Sequence, residues 1–177
     1  DLYELYPELD IDVAAEQEAL AEHDIIVFQH PFYWYSMPAL LKEWQDLVLE
    51  HGWAYGTEGH ALEGKVTFHA ISTGGPAGAY RREGGNRFTI REFLAPQDQT
   101  AHLCRMHFLS PFVVHGALKL EGQDDVGDHA QRYRALLEAM VGGRLDLGRA
   151  KTVDNLNGDL SRVLVGAAAS RAFSEGA

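Results

Sequence analysis

Two runs of β-branched and aromatic residues decide what this chain can fold into. Asp24-Ile25-Ile26-Val27-Phe28-Gln29-His30 and Lys65-Val66-Thr67-Phe68-His69-Ala70-Ile71 do not alternate as a strand with one wet face would. Each reads as a strand buried on both faces, the mark of a parallel sheet covered by helices. Each is cut at once, the first by Pro31 and the second by Ser72-Thr73-Gly74-Gly75-Pro76. Between them Pro38 stands where a helix takes its first residue. Leu40, Leu41, Trp44, Leu47 and Val48 follow at helical spacing, with Lys42, Glu43, Gln45 and Asp46 on the other face.

The rest of the chain keeps the same rhythm. Asp12 caps a helix over 13–22, and one or two short helices fall between 89 and 104. A third strand lies within 108–115. A last helix over 124–141 carries Val126, Ala130, Tyr133, Leu137, Met140 and Val141 as its apolar stripe, until Gly142-Gly143 stops it. Alternating strands and helices give an α/β fold, in which ligands bind beyond the carboxyl ends of the strands. The loops after Phe28 and after Ile71 are therefore where chemistry is expected.

Composition removes several function classes. The 177 residues carry 15 Lys and Arg against 26 Asp and Glu, a formal net charge of −11. That balance argues against nucleic acid as a partner and against attraction to anionic lipid. No apolar run reaches the roughly 20 residues of a membrane span. The one cysteine, Cys104, permits no internal disulfide and no Cys-built zinc site, and fits a reducing compartment. It sits in an apolar context and reads as a buried, inert thiol. The nine histidines show no metal-binding spacing, so no metal is expected.

The first loop, His30-Pro31-Phe32-Tyr33-Trp34-Tyr35-Ser36-Met37-Pro38, sets four aromatic side chains in a row. They either staple the loop to the helix behind it or form a platform for a flat ligand or a partner. In the second, Gly74 and Gly75 follow directly on a buried strand, where backbone N–H groups can approach a ligand closely. It has neither the dinucleotide nor the phosphate-loop spacing of glycines.

In this order the two loops resemble a known family. They do so together with Asp1-Leu2-Tyr3, Tyr6-Pro7, Pro38-Ala39-Leu40-Leu41-Lys42, Gly52-Trp53-Ala54-Tyr55-Gly56, Asn86-Arg87-Phe88 and Cys104-Arg105-Met106-His107. The family is that of the flavodoxin-fold NAD(P)H:quinone oxidoreductases of the DT-diaphorase superfamily. Its bacterial branch includes the ancillary proteins of the glutathione-gated potassium efflux transporters, the KefF and KefG type. The resemblance covers 1–141 and implies a flavodoxin-like, doubly wound parallel sheet in three layers. It further implies a flavin, FMN or FAD, with NAD(P)H as electron donor and a quinone as acceptor, in a cytoplasmic homodimer. Phe32, Tyr33, Trp34 and Tyr35 fall on the loop that flanks the flavin ring in the family, and Ser72, Thr73, Gly74 and Gly75 on the loop that donates backbone hydrogen bonds to it. Tyr80 keeps the spacing from Thr73 of an active-site Tyr, and Asn86 falls near the place of the His that partners it. Trp53 and Tyr55 are expected to wall the substrate pocket.

The family opens with a strand, a phosphate-binding loop at a helix N-terminus and that helix. These are expected upstream of Asp1, outside the sequence given, which leaves the domain over 1–141 without its first strand and helix. Residues 142–177 fall outside the resemblance and read as a disordered or loosely packed extension. Arg162-Val163-Leu164-Val165-Gly166-Ala167 followed by Ser170-Arg171 looks like a strand-loop-helix opening, which makes a permuted chain the alternative. The ancillary branch implies a second function. The chain would be a regulatory subunit docked on a potassium efflux transporter, held at the inner face of the membrane by that partner and not inserted in it.

Overall fold

In the computed structural model the described residues are 1–120, 123–158 and 160–165. The two buried runs become adjacent parallel strands, β1 (Ile25–Pro31) and β2 (Val66–Ser72), in register from Ile25 opposite Val66 to Pro31 opposite Ser72. Every residue of β2 except Ser72 is buried. On its far edge the expected third strand is present in two pieces, β3 (His107–Phe108) and β4 (Phe112–Val114), both parallel to β2. The break is a bulge. Phe108 lies opposite Thr67 and Phe112 opposite Ala70, so four steps (108 to 112) match three (67 to 70). Pro111 has no N–H to give the ladder, and the Ser110 N–H turns away to the Ala150 carbonyl at 2.9 Å.

β1 is less buried than expected. Gln29 is exposed, and Val27 and Phe28 are half-buried. Among the described residues β1 is paired along one edge only, and its other side opens on a groove of about 860 Å³ bounded by Leu2, Leu5, Leu41 and Trp44.

Helices cover both faces of the sheet. α1 (Leu2–Leu5) precedes α2 (Val13–Glu22), whose N-cap Asp12 accepts from the Ala15 N–H at 3.0 Å. α3 (Ala39–Val48) turns Leu40, Leu41, Trp44 and Val48 inward onto Ile26 and Phe28. α4 (Ile90–Phe93) opens with a reciprocal cap between Thr89 and Glu92, and α5 (Ala95–Leu103) adds Ala101 to the α3 side. The opposite face of β2, namely Val66, Phe68 and Ala70, packs on Leu136 and Met140 of α6 (Gln123–Val141). The stripe of α6 is phased differently from the expected one. Leu136, Ala139 and Met140 are buried, whereas Val126 and Val141 are exposed. The apolar arc of α6 is wider than the part that meets the sheet, and Val141 is the last residue before the Gly142-Gly143 turn.

The described part of the tail does not form a loose extension. α7 (Leu147–Ala150) and α8 (Leu160–Val163) bring Leu145, Ala150, Leu156 and Val163 into the α6-side core, each no more than 4% exposed. Asn157 stands in for a neighbouring strand. Its carboxamide accepts from the Val113 N–H at 2.9 Å and donates to the Val113 carbonyl at 2.8 Å. The Arg91 guanidinium donates to the carbonyls of Lys151 at 2.9 Å and Val153 at 3.1 Å, tying the tail to α4. The strand read at Arg162 is not formed, since 160–163 is helical and Leu164 bridges back to Leu145. Gly166, Ala167, Ser170 and Arg171 lie outside the described residues.

Leu156→Ala should therefore behave as a core truncation, lowering the unfolding free energy by about 3 kcal/mol. Urea denaturation checks this. A loss under about 0.5 kcal/mol, the scale of a surface site, would mean that the tail is not packed.

Candidate functional site

The register of β1 on β2 brings the two suspect loops side by side. The Phe32 N–H extends the ladder by one bond, to the Ser72 carbonyl at 2.8 Å. Residues 33–36 then close a tight turn, with the Ser36 N–H on the Tyr33 carbonyl at 2.9 Å. Its central residues, Trp34 (φ 47°) and Tyr35 (φ 62°), are both left-handed. That is the pattern of a type I′ turn, which normally takes Asn and Gly. Backbone in sparsely populated regions costs on the order of 1–3 kcal/mol per residue and persists only where its surroundings hold it.

The four aromatic residues of this loop divide. Phe32 is buried, edge-on to Phe93 (centroids 5.8 Å apart) and Tyr80 (6.3 Å). Tyr35 lies flat on Phe93 at 5.0 Å, and its hydroxyl donates a long 3.4 Å bond to Asn86 Oδ1. Tyr33 and Trp34 face outward, Trp34 being 93% exposed. Phe32 and Tyr35 thus staple the loop, while Tyr33 and Trp34 stand open.

The second loop is fixed from behind. Buried Thr73 gives its N–H to the Val114 carbonyl (2.8 Å) and its hydroxyl to the Gly75 carbonyl (2.9 Å). The Gly75 carbonyl also accepts from the Gly116 N–H at 2.9 Å, and the Thr73 carbonyl from the Ala117 N–H at 2.8 Å. The N–H groups of Gly74 and Gly75 have no hydrogen-bond partner among the described residues, nor do those of Trp34 and Tyr35. Neither glycine has a left-handed φ, so space, not conformation, is what glycine provides here. A Cβ on Gly75 would come within 3.3 Å of the Tyr80 ring, and one on Gly74 would meet only Leu118, at 3.5 Å.

Tyr80 connects the two loops, touching Phe32 of the first and standing over Gly75 of the second. Beside it, with centroids 5.5 Å apart, is His115. His115 Nδ1 lies 3.2 Å from Thr73 Oγ1. That hydroxyl already gives its proton to Gly75, so the imidazole is the donor and its Nε2 is left with a lone pair. Burial, and then the neighbouring His129, hold His115 below the usual imidazole range. No hydrogen bond reaches the Tyr80 hydroxyl among the described residues. Asn86, near the expected place of the partner His, bonds Tyr35 instead. His115 was missed because no local spacing marks it. Thr73 and His115 are 42 positions apart and meet only because β4 lies beside β2. Trp53 and Tyr55 pack against the α3-side core and line neither the groove beside β1 nor a second one, of about 380 Å³, between the C-terminal halves of β1, β2 and β4 and α6. Cys104 is 1% exposed and burial pushes its thiol up, which keeps it protonated and inert.

Beneath the aromatic turn two histidines are buried in contact. His30 Nδ1 is 2.9 Å from the Pro31 carbonyl, and His30 Nε2 is 2.9 Å from His69 Nδ1. A carbonyl only accepts, so His30 donates from Nδ1 and its Nε2 accepts from the His69 Nδ1–H. Burial lowers His30 and takes His69 from the ordinary 6.5 to about 3, so the pair is neutral at pH 7.

A family model described as flavodoxin-like fold matches residues 1–137. The glutathione-regulated potassium-efflux system ancillary protein KefG of Yersinia enterocolitica is 48% identical over 139 residues, which are 78% of this chain and 75% of that protein. General stress protein 14 of Treponema denticola, solved in complex with FMN, superposes with a TM-score of 0.73 at 42% identity, over 78% of this chain and 79% of that one. An NADPH-quinone reductase from P. pentosaceus superposes with a TM-score of 0.63 at 34% identity, over 82% and 77%.

Trp34→Gly should raise conformational stability by about 0.5–1 kcal/mol, because it relieves a left-handed φ and gives up almost no burial. A lower urea midpoint would show that the turn is not strained at Trp34. The buried pair makes a second prediction. His69 takes a proton near 6.5 when unfolded but only near 3 when folded. Its contribution is therefore complete above about 6.5 and is lost as pH falls towards about 3. Across that window wild-type stability should fall more steeply than that of His69→Phe. Parallel pH profiles would contradict the assignment.

Proposed function

The chain belongs to the flavodoxin-like family, and on that premise we propose that it is a flavin-dependent oxidoreductase transferring two electrons from NAD(P)H to a quinone. One observation carries the reading. Four backbone N–H groups, at Trp34, Tyr35, Gly74 and Gly75, have no partner among the described residues and lie on two adjacent loops beyond the carboxyl ends of parallel strands. Such donors suit the carbonyl oxygens and ring nitrogens of a flat heterocycle, and the open face of Trp34 suits its surface. The FMN complex of a relative at 42% identity supports flavin, and FMN before FAD. The quinone reductase at 34% identity supports the reaction class.

A bound flavin supplies the two-electron redox chemistry. The chain supplies position and protons. Gly74 and Gly75 orient the ring through their N–H groups, while Phe32, Tyr33, Trp34 and Tyr35 flank it. Thr73 holds the glycine turn from behind, and the Ser72 carbonyl ties the aromatic loop beside it. Reducing a quinone with NAD(P)H takes up one proton from solvent. The Tyr80 hydroxyl, on a ring whose centroid lies 5.5 Å from that of His115, is the group that holds and delivers that proton. Proton transfer by a positioned side chain is worth roughly 100- to 10,000-fold in rate.

A second reading is compatible with the first. Identity of 48% to KefG and the 93% exposure of Trp34 favour a chain that also docks on a potassium efflux transporter. Among the described residues no helix is long and apolar enough to cross a membrane, so that association would run through the partner. A cytoplasmic homodimer is the assembly we propose.

The test is the double variant Gly74→Val and Gly75→Val. Neither site is conformationally strained, so the protein should fold. Blocking two donors should weaken FMN binding about thirtyfold, at roughly 1 kcal/mol per hydrogen bond. FMN titration and NAD(P)H-dependent reduction of a soluble benzoquinone check this. A folded double variant with wild-type FMN affinity and turnover would refute the ring site.

A further inference from the structure

A buried polar cavity stands outside the chemistry proposed above. Between β2 and α5 lies a small cavity of about 20 Å³, bordered by Phe28, Thr67, His69, Gln97 and Phe108. Two of these side chains are more than nine-tenths buried and present an oxygen that has no partner among the described residues. They are Thr67 Oγ1, on a residue 1% exposed, and Gln97 Oε1, on a residue 6% exposed. Leaving a buried polar atom unpaired costs on the order of 1–3 kcal/mol, and such groups are normally met by ordered water. The cavity is the size that one water needs, about 10–15 Å³ at minimum.

The polarity of the lining fits one water. The Thr67 hydroxyl can donate, and Gln97 Oε1 can only accept. His69 has its Nδ1–H on His30, which leaves its Nε2 as a second acceptor. One water accepting from Thr67 and donating to Gln97 and His69 satisfies all three. We propose that a single buried water occupies this cavity and completes a hydrogen-bond chain, through His69 and His30 to the Pro31 carbonyl, that holds the strained aromatic turn in place.

The chain has one sense throughout. Thr67 gives to the water, the water to His69, His69 to His30 at 2.9 Å, and His30 to the Pro31 carbonyl at 2.9 Å. Bonds aligned in this way polarise and strengthen one another. Its end point is the root of the turn, because the Pro31 carbonyl also accepts the Tyr33 N–H at 3.1 Å. The turn beyond it has few bonds of its own, with the N–H groups of Trp34 and Tyr35 unpaired among the described residues. His69 is thus a positioning residue, acting on the turn through His30. The bearing of this chain on flavin binding rests on the function proposed above, whereas the chain itself does not.

The experiment is solution NMR on the full chain, joined to FMN titration. Long-range ¹H–¹⁵N correlations should report the Nδ1–H tautomer for both His30 and His69. A long-lived water should give cross-relaxation to the His69 ring and should disappear in Thr67→Val. His69→Phe keeps the ring volume but removes the donor and should weaken FMN about fivefold, the scale of one net hydrogen bond. His69→Asn, which restores an N–H donor, should recover most of the loss. An Nε2–H tautomer on either histidine, or no bound water in the wild type, overturns the proposal. So does a folded His69→Phe with wild-type FMN affinity. A wild type that binds no FMN would contradict the flavin reading alone, and the tautomers and the water would still decide the chain.

Discussion

Everything at the site depends on β1 and β2 pairing in parallel out to their last residues. The ladder does not stop at Pro31 opposite Ser72, since the Phe32 N–H adds one more bond to the Ser72 carbonyl. That bond fixes where the aromatic turn leaves the sheet, and it leaves directly beside the glycine turn. Parallel neighbours deliver both chain reversals at one end, which is why ligands in such sheets bind there. β4 adds the third contribution. Its pairing with β2 brings His115 under Thr73 and against Tyr80.

The aromatic turn is an unfavourable local structure held by favourable surroundings. Two left-handed aromatic residues cost a few kcal/mol by order of magnitude. Against that stand the flat contact of Tyr35 on Phe93, the burial of Phe32 and the His30 bond at the root. The result sets Trp34 in solvent, where folding has no use for it. Strain kept where it yields no packing is the usual sign that a segment is shaped for something else to bind.

The legible parts of the fold were those whose cause is local. Asp12 caps α2 because an Asp before a helical pattern satisfies a free N–H. β2 was readable because a central strand must be apolar on both faces. The aromatic and glycine loops were readable as peculiar, although which aromatic residue staples and which stands open depends on Phe93, far along the chain. What could not be read depends on contacts between distant segments. The bulge at Pro111 needs the register of β2, and the phase of α6 needs the face that meets the sheet. Leu145, Ala150 and Leu156 are scattered through a polar tail with no sustained periodicity to betray a core, and the apolar run from Val163 reads as a strand although Val163 closes α8. The role of Asn157 as a substitute strand exists only once Val113 is at an edge. His115 is the same case at the site.

The account's central claim is that the two loops together present donors to a flavin ring. Its most direct test follows backbone amide resonances while FMN is added to the protein. The amides of Trp34, Tyr35, Gly74 and Gly75 should shift most, in step with one another and saturating at one flavin per chain. Saturable FMN binding that leaves these four amides unmoved and shifts others would contradict it.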